Sequence, residues 1–501
     1  MTSTDRVPIP GEARLILAES ATDASRFVLQ PTPSKDPNEP LNWPTWRKLF
    51  NFGLSIAVTV AAFTNVSIQT VFWQQMTVDM GVSIQQLTNA QSAQLAGLAM
   101  GCLFFIPLSI KYGRRSAYII STAVLAGVSW WTSRMESYPE LIITMVITGL
   151  GGAINETAVQ MTISDLFFVH HPANQGWRWS YYTLSICLTI LFVVFIFAFE
   201  ETKYIPVSVG EADNDDAGSE HNPTEKDIDS KNKVGSDLVT VATHTDPTIP
   251  MNSYRQCMRL TTTTSESLPR LFMMPFHVIT LPHVMFTALQ FASGVCWLVI
   301  FMQIISIVFS APPYNFTTAG IGYMALGPFV GNIFGSIYGG PLADWTVVRL
   351  ARRNGGIYEP EMRLYPLVIP TIFMAGGIIM FGATAARGMH WIYPSLGGAF
   401  FAFGLGANGD ITFTLIIDTY RELVAEAFIG IAFLRNAVSV GVTFAIVPWM
   451  TTMGLTNMFI ICGCIAFAIG SLFVPMIIYG KKIRTALAPR YWKLVEMRSR
   501  I

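Results

Sequence analysis

Long stretches without a charged residue alternate with short charged loops along this chain. Between Lys48 and Lys111 the only charge is Asp79, residues 271–343 contain no Asp, Glu, Lys or Arg, and neither does 436–480. A helix crossing a bilayer needs roughly 20 apolar residues and carries charge only at a cost of several kcal/mol. Each run therefore predicts one or two crossings. Eleven segments follow: 49–72, 90–110, 116–134, 140–169, 178–199, 277–309, 318–343, 364–385, 390–418, 425–449 and 455–480, with Pro312-Pro313 dividing the longest run.

Composition agrees with this pattern. Apolar residues make up 51% and charged ones 13% of the 501 residues, against about a quarter charged in soluble domains. Lipid is the solvent for most of the chain, and the expected class is an all-α membrane protein. The 32 basic and 32 acidic residues cancel, which argues against a nucleic-acid partner. Six cysteines, several inside apolar runs (Cys102, Cys187, Cys462), suggest neither a disulfide framework nor a zinc site. No H-E-x-x-H, G-x-x-x-x-G-K-[ST] or G-x-S-x-G pattern is present. Enzyme chemistry, a bound metal and a cofactor are not expected.

The charges that remain set the domain plan. Residues 1–47 read as a polar, Pro-rich cytoplasmic tail with no removable signal. Residues 48–199 form an amino-terminal bundle, 200–276 an acidic disordered linker, 277–480 a carboxy-terminal bundle and 481–501 a basic tail. From Glu200 to Pro250 there are twelve acids and four bases, a composition that cannot bury a core. Lys111, Arg114 and Arg115, then Arg349, Arg352 and Arg353, then Lys481, Lys482, Arg484, Arg490 and Lys493 flank short loops, which places those loops and both ends inside. With this orientation the parity fails. Segment 178–199 must end inside, yet it begins about seven residues after an inside position. A span missing near 170–177, a re-entrant or interfacial 178–199, or an inverted half would each resolve this.

The two halves echo one another, as in transporters built from repeats. Pro107-Leu108-Ser109-Ile110-Lys111-Tyr112-Gly113-Arg114-Arg115 follows the second segment, and Gly339-Gly340-Pro341-Leu342-Ala343-Asp344-Trp345 follows the seventh. The first resembles the inter-helix signature of the major facilitator superfamily, G-x-L-a-D-r-x-G-r-k, and the second its counterpart in the other half. Ile110 stands at the acidic position of the first copy, and Val347 replaces a glycine of the second. Asn42-Trp43-Pro44, Gly149-Leu150-Gly151-Gly152, Gly176-Trp177-Arg178-Trp179 and Glu200-Glu201-Thr202-Lys203-Tyr204 are similar to the fungal drug:proton antiporter branch. The resemblance implies twelve spans in two bundles with the deficit on the fifth. It also implies Lys111, Gly113, Arg114, Arg115 and Asp344 as the conformational motif. The arginine that branch carries in its fourth span is Met145 here.

Among the polar residues, Glu156 lies near the middle of an apolar segment with Asn155 beside it, and Asp410 lies deep in another behind Asn408. Ionisable groups at such depth face a cavity or a partner; proton or cation binding and a buried structural bond are both open. Gln69, Trp73 and Gln290 are further substrate contacts or packing residues. Asp165 and Asp418 are expected to pair with loop bases, and Arg435 needs an acidic partner. Gly331, Gly335 and Gly339, like Gly97 and Gly101, allow close helix approach. Trp130, Trp131, Trp391 and Trp449 suggest an interfacial belt. Asn315-Phe316-Thr317 fits a glycosylation acceptor on an outer hairpin. The expected function is secondary transport of a small organic molecule in the plasma membrane, by proton-coupled efflux of a drug or secondary metabolite. Uptake of a nutrient or organic cation, or a transport-inactive relic or sensor, are the alternatives.

Overall fold

The structure, a computed structural model, describes residues 10, 11, 13, 14, 43–156, 177–200, 256, 258, 259 and 268–499. Among these residues the chain is helical apart from two short strands, β1 (Ala13–Arg14) and β2 (Ile357–Tyr358). The amino-terminal half comprises α1 (Thr45–Val71), continued after Phe72 by the short α2 (Trp73–Met80), then α3 (Ile84–Tyr112), α4 (Arg114–Thr132), α5 (Tyr138–Glu156) and α6 (Trp177–Ala198). The carboxy-terminal half opens with the short α7 (Leu268–Val278) and α8 (Pro282–Phe309). There follow α9 (Thr318–Arg353) and a tight turn (Pro360–Leu367) on the inner face that leads into α10 (Val368–Ala386). The last three are α11 (Ile392–Thr419), α12 (Val424–Met453) and α13 (Leu455–Arg498).

In hydrocarbon every backbone N–H and C=O must be paired within its own segment, which leaves helices as the spanning element. Nine helices of the described residues are long and apolar enough to cross a bilayer. The 19-residue α4 and α5 pack beside them, so each of the eleven expected segments has its helix. The sequence reading ended the linker at 276 and began a tail at 481. In the structure α7 already lies within the former range, and α13 continues as helix through the latter.

Interactions at the two ends of α6 fix its direction. At its start the Trp177 indole Nε1 donates to Asp79 (3.0 Å) and Arg178 donates to the Met135 carbonyl (3.1 Å), both on the outer face. Its far end meets the basic loop after α3. There Arg115 donates to the carbonyls of Ile196 (2.7 Å) and Phe199 (2.8 Å), a cation on the orphaned carbonyls of a helix C-terminus. Arg47 and Glu200 pair at 2.6 Å beside it. Thus α6 runs the length of its bundle, from the end that holds Asp79 to the end that holds Arg115, and is long and apolar enough to cross a bilayer. The parity question raised by the sequence turns on residues 157–176. The span expected to be missing there falls outside the described residues.

Glycine spacing decides how closely the helices pack. A Cβ on Gly331 would lie 2.0 Å from the Ala399 carbonyl oxygen, and one on Gly335 2.4 Å from that of Phe403. The stripe therefore lets α9 lie backbone to backbone against α11. Gly97 and Gly149 do the same for α3 and α5. At Tyr338–Leu342 α9 widens into a π turn around Gly339, Gly340 and Pro341, where proline supplies no N–H to the ladder. Trp130, Trp131, Trp391 and Trp449 all stand at outer helix ends, as an interfacial belt requires.

On the inner face of the carboxy-terminal half, a completely buried Arg484 grips Glu361 through Nε (3.1 Å) and Nη2 (2.9 Å). His283 stands 3.6 Å from the same carboxylate. Burial alone would raise the Glu361 carboxyl, but His283 and Arg484 outweigh it and hold it down to about 2.

Gly331→Val is expected to lower the melting temperature of the detergent-solubilised protein sharply. Overpacking costs about 1–3 kcal/mol, whereas Gly376→Val, with open space around it, should change little. Because the folded Glu361 is more acidic than an unfolded glutamate, its contribution is present above about pH 4.3 and fades as pH falls towards 2. Melting temperature should decline over that window, and Glu361→Gln should flatten the decline while lowering stability at pH 7.

Candidate functional site

The two halves meet at two seams. At the outer one, α1 and α2 face α8. Trp73 packs in a cluster with Met76, Met145, Trp177 and Tyr181, against which Ile307 of α8 rests. Gln69 precedes Trp73 by one turn and Gln303 precedes Ile307 by one turn, so each shares a helix face with the packed residue. At the outer rim Gln75 Nε2 donates to the Thr318 hydroxyl of the other half (3.1 Å).

Polar atoms gather on this seam without hydrogen-bond partners among the described residues. They include Asn65 Nδ2, both amide atoms of Gln69, Trp73 Nε1, the Tyr181 hydroxyl, both amide atoms of Gln303 and the Ser306 hydroxyl. Gln69 and Gln303 are 0% exposed. A buried unpaired donor or acceptor costs about 1–3 kcal/mol, and native proteins keep few of them. Among the described residues these atoms lie on both sides of one interface.

The inner seam runs between α3 and α12, where Leu95, Leu98 and Cys102 pack on Ile429 and Ala432. Arg435 donates through Nε (3.1 Å) and Nη2 (2.8 Å) to Asn436 Oδ1, its guanidinium lies 5.1 Å from the Phe291 ring, and Asn436 Nδ2 approaches Cys102 Sγ at 3.9 Å. Gly101 brings α5 in: a Cβ there would lie 2.6 Å from that of Ala153. Asn155 and Glu156 follow Ala153 by two and three residues, at the end of the described part of α5. Their side chains are outside the described residues, as is Asp165.

The remaining candidates separate. Gln290 and Asn408 bond each other (3.1 Å), and Gln290 also donates to the Ile469 (2.9 Å) and Gly470 (3.0 Å) carbonyls. Those carbonyls lie where α13 breaks, so Gln290 completes the hydrogen bonding of a helix bend. Asp410 points to the other side of α11, against Gly339 and the Ser336 side chain of α9. Gln303, which the sequence reading passed over, lies 13 residues after Gln290, about 220° around the helix at ~100° per residue. One glutamine thus faces its own bundle and the other the opposite half. A lone polar residue in an apolar helix was the available signal, and it did not distinguish the two.

The motif residues occupy the inner face. Gly113 (φ +106) turns the chain between α3 and α4, and Lys111 stands over the Tyr112 ring. Arg114 begins α4, and Arg115 caps α6 as described. Ile110, where the signature has an acid, packs with the apolar residues of the inner seam. Met145, where an arginine was expected, fills the Trp73 cluster. In the second copy Asp344 pairs with Arg363 at 2.7 Å. Arg363 also holds Asp418, to which the Tyr358 hydroxyl donates. Asp418 thus has its basic partner, and burial raises the Tyr358 phenol well above its ordinary range.

The comparisons place this architecture. The sequence profile of the Major Facilitator Superfamily matches residues 172–444. An uncharacterised transporter of that type from Schizosaccharomyces pombe is 28% identical, over 95% of this chain and 91% of its own. A multidrug transporter of Candida glabrata is 23% identical, over 90% of this chain and 77% of its own. Among solved structures, the proton:xylose symporter XylE superposes with a TM-score of 0.51 at 12% identity, covering 86% of this chain and 96% of that one. Two pseudo-equivalent helical bundles, a motif copy at the inner face of each and a profile match over more than half the length identify the chain as a member of the major facilitator superfamily, a family of membrane transporters and not of enzymes.

Proposed function

We propose that this protein exports a small organic molecule, a drug or secondary metabolite, by exchange with protons, and that the outer seam is where the substrate binds. The observation that carries the reading is the set of unpaired buried polar atoms contributed by both halves, with Gln69, Trp73 and Asn65 on one side and Gln303 and Ser306 on the other. A solute bonding to both halves favours conformations in which they are closed upon it. That differential affinity is what a ligand must supply to shift a two-state equilibrium. The Candida glabrata relative, named a multidrug transporter, supports a drug-like substrate.

Glu156 is the proposed proton carrier, with Asn155 shaping its surroundings and Asp410 as a second ionisable group at depth. Its position three residues beyond Ala153 brings it to the junction of α3, α5 and α12. An ionisable side chain there is costly unless it titrates or pairs. Gln290 and Asn408, bonded to each other, support the frame of the site. On the exposed outer hairpin, Asn315 is the proposed N-glycosylation site, and digestion with an amide-cleaving glycosidase should increase the electrophoretic mobility of the protein.

In sealed vesicles carrying the protein, an outward-directed flux of fluorescent drug-like substrates should rise with an imposed proton gradient and vanish in Glu156→Gln. Gradient-driven inward flux would favour nutrient uptake, and no flux of any substrate would favour a transport-inactive chain. Gln303→Ala should raise the half-saturating substrate concentration about fivefold, the worth of one hydrogen bond of ~1 kcal/mol, leaving the proton dependence intact.

A further inference from the structure

The described residues of the amino-terminal segment, 10, 11, 13 and 14, are seated on the carboxy-terminal half. Pro10 is buried, and its carbonyl accepts a hydrogen bond of 2.6 Å from Arg484 Nη1. This completes the partners of a side chain whose other nitrogens hold Glu361. Gly11 adopts φ +83, and a Cβ there would lie 2.9 Å from Pro360 Cγ, 3.0 Å from the Asp418 carbonyl oxygen and 3.0 Å from Thr419 Cα. Beyond it β1 pairs antiparallel with β2, Ala13 opposite Tyr358 and Arg14 opposite Ile357.

Three independent features therefore recognise one extended peptide. A buried guanidinium reads a backbone carbonyl. A notch with room for no side chain demands glycine in a conformation that L side chains rarely adopt. A strand edge supplies main-chain pairing, the mode by which many domains take up peptides. The 28 residues 15–42 could span up to ~90 Å if drawn out, so the connection to α1 does not hold the segment in place. The seat itself does.

We propose that this surface is a peptide-binding seat whose occupant is the chain's own residues 10–14, and that the docked segment is a strap regulating the second motif copy. The seat is built from the groups that hold that copy. Tyr358, which pairs with Ala13, also bonds Asp418, and Asp418 is bound by Arg363, the partner of Asp344. Docking covers the Tyr358–Asp418–Arg363 part of this network, Asp344 remaining exposed, and joins it to Arg484. Release exposes it to water and loosens the connection between α9 and α10.

The test uses the full-length chain in membranes and requires no substrate. With Arg14→Cys and Ile357→Cys, mild oxidation should link the peptides containing positions 14 and 357 in most molecules, as read by mass spectrometry. Adding Gly11→Val should reduce that yield several-fold. Hydrogen exchange over residues 344–363 should quicken several-fold in Gly11→Val. A synthetic peptide of residues 1–20 should restore protection, and the same peptide with Gly11→Val should not. A link whose yield ignores Gly11→Val, or a peptide effect indifferent to that change, overturns the seat. Unchanged exchange over 344–363 on release overturns the strap. Neither outcome depends on the substrate or on proton coupling, so it leaves the transport reading to its own assay.

Discussion

Polar groups removed from water must find partners inside the protein, and this constraint explains most of what is observed. In a chain with so little charge it first forces the backbone into helices, whose bonds close within each segment. It then forces the side chains at helix ends into pairs. Arg115 satisfies the last carbonyls of α6, Arg484 satisfies Glu361, and Arg363 joins Asp344 to Asp418. Gln290 shows the rule acting inside a bundle, where it supplies the donors that the break in α13 leaves wanting. Against that background the amides of Gln69 and Gln303, buried and without hydrogen-bond partners among the described residues, depart from the rule.

Glycine is the second device on which the architecture rests. Where lipid surrounds the helices there is no hydrophobic drive to press them together, and close packing of backbones takes its place. The carbonyls opposite Gly331, Gly335, Gly97 and Gly149 lie too near for any side chain. Within each bundle the helices thus meet backbone to backbone, whereas the seams between bundles are packed through side chains. The π turn at Tyr338–Leu342 lies between the close-packed part of α9 and Asp344, joining the rigid stretch to the charged network.

The two motif copies have diverged physically as well as in sequence. The first, lacking an acid at Ile110, turns apolar contact towards α12 and uses Arg115 as a helix cap. The second retains Asp344 in a network of ion pairs. The described residues of the amino-terminal segment are seated beside the second.

Charge-free run length determined where the long apolar helices of the described residues lie, because it follows from local transfer energies summed along the chain. The same local logic marked the glycine stripes, Asp418 as a paired residue and the tryptophans at the rims. It could not tell Gln290 from Gln303, or assign Trp73 and Asn408 to different surroundings. Those distinctions depend on which face of a helix meets its own bundle and which meets the other half. Nor could it foresee Pro10 on Arg484, a contact between residues 474 positions apart. Partners so distant in the chain are chosen by the folded surface, and only the tertiary structure brings them together.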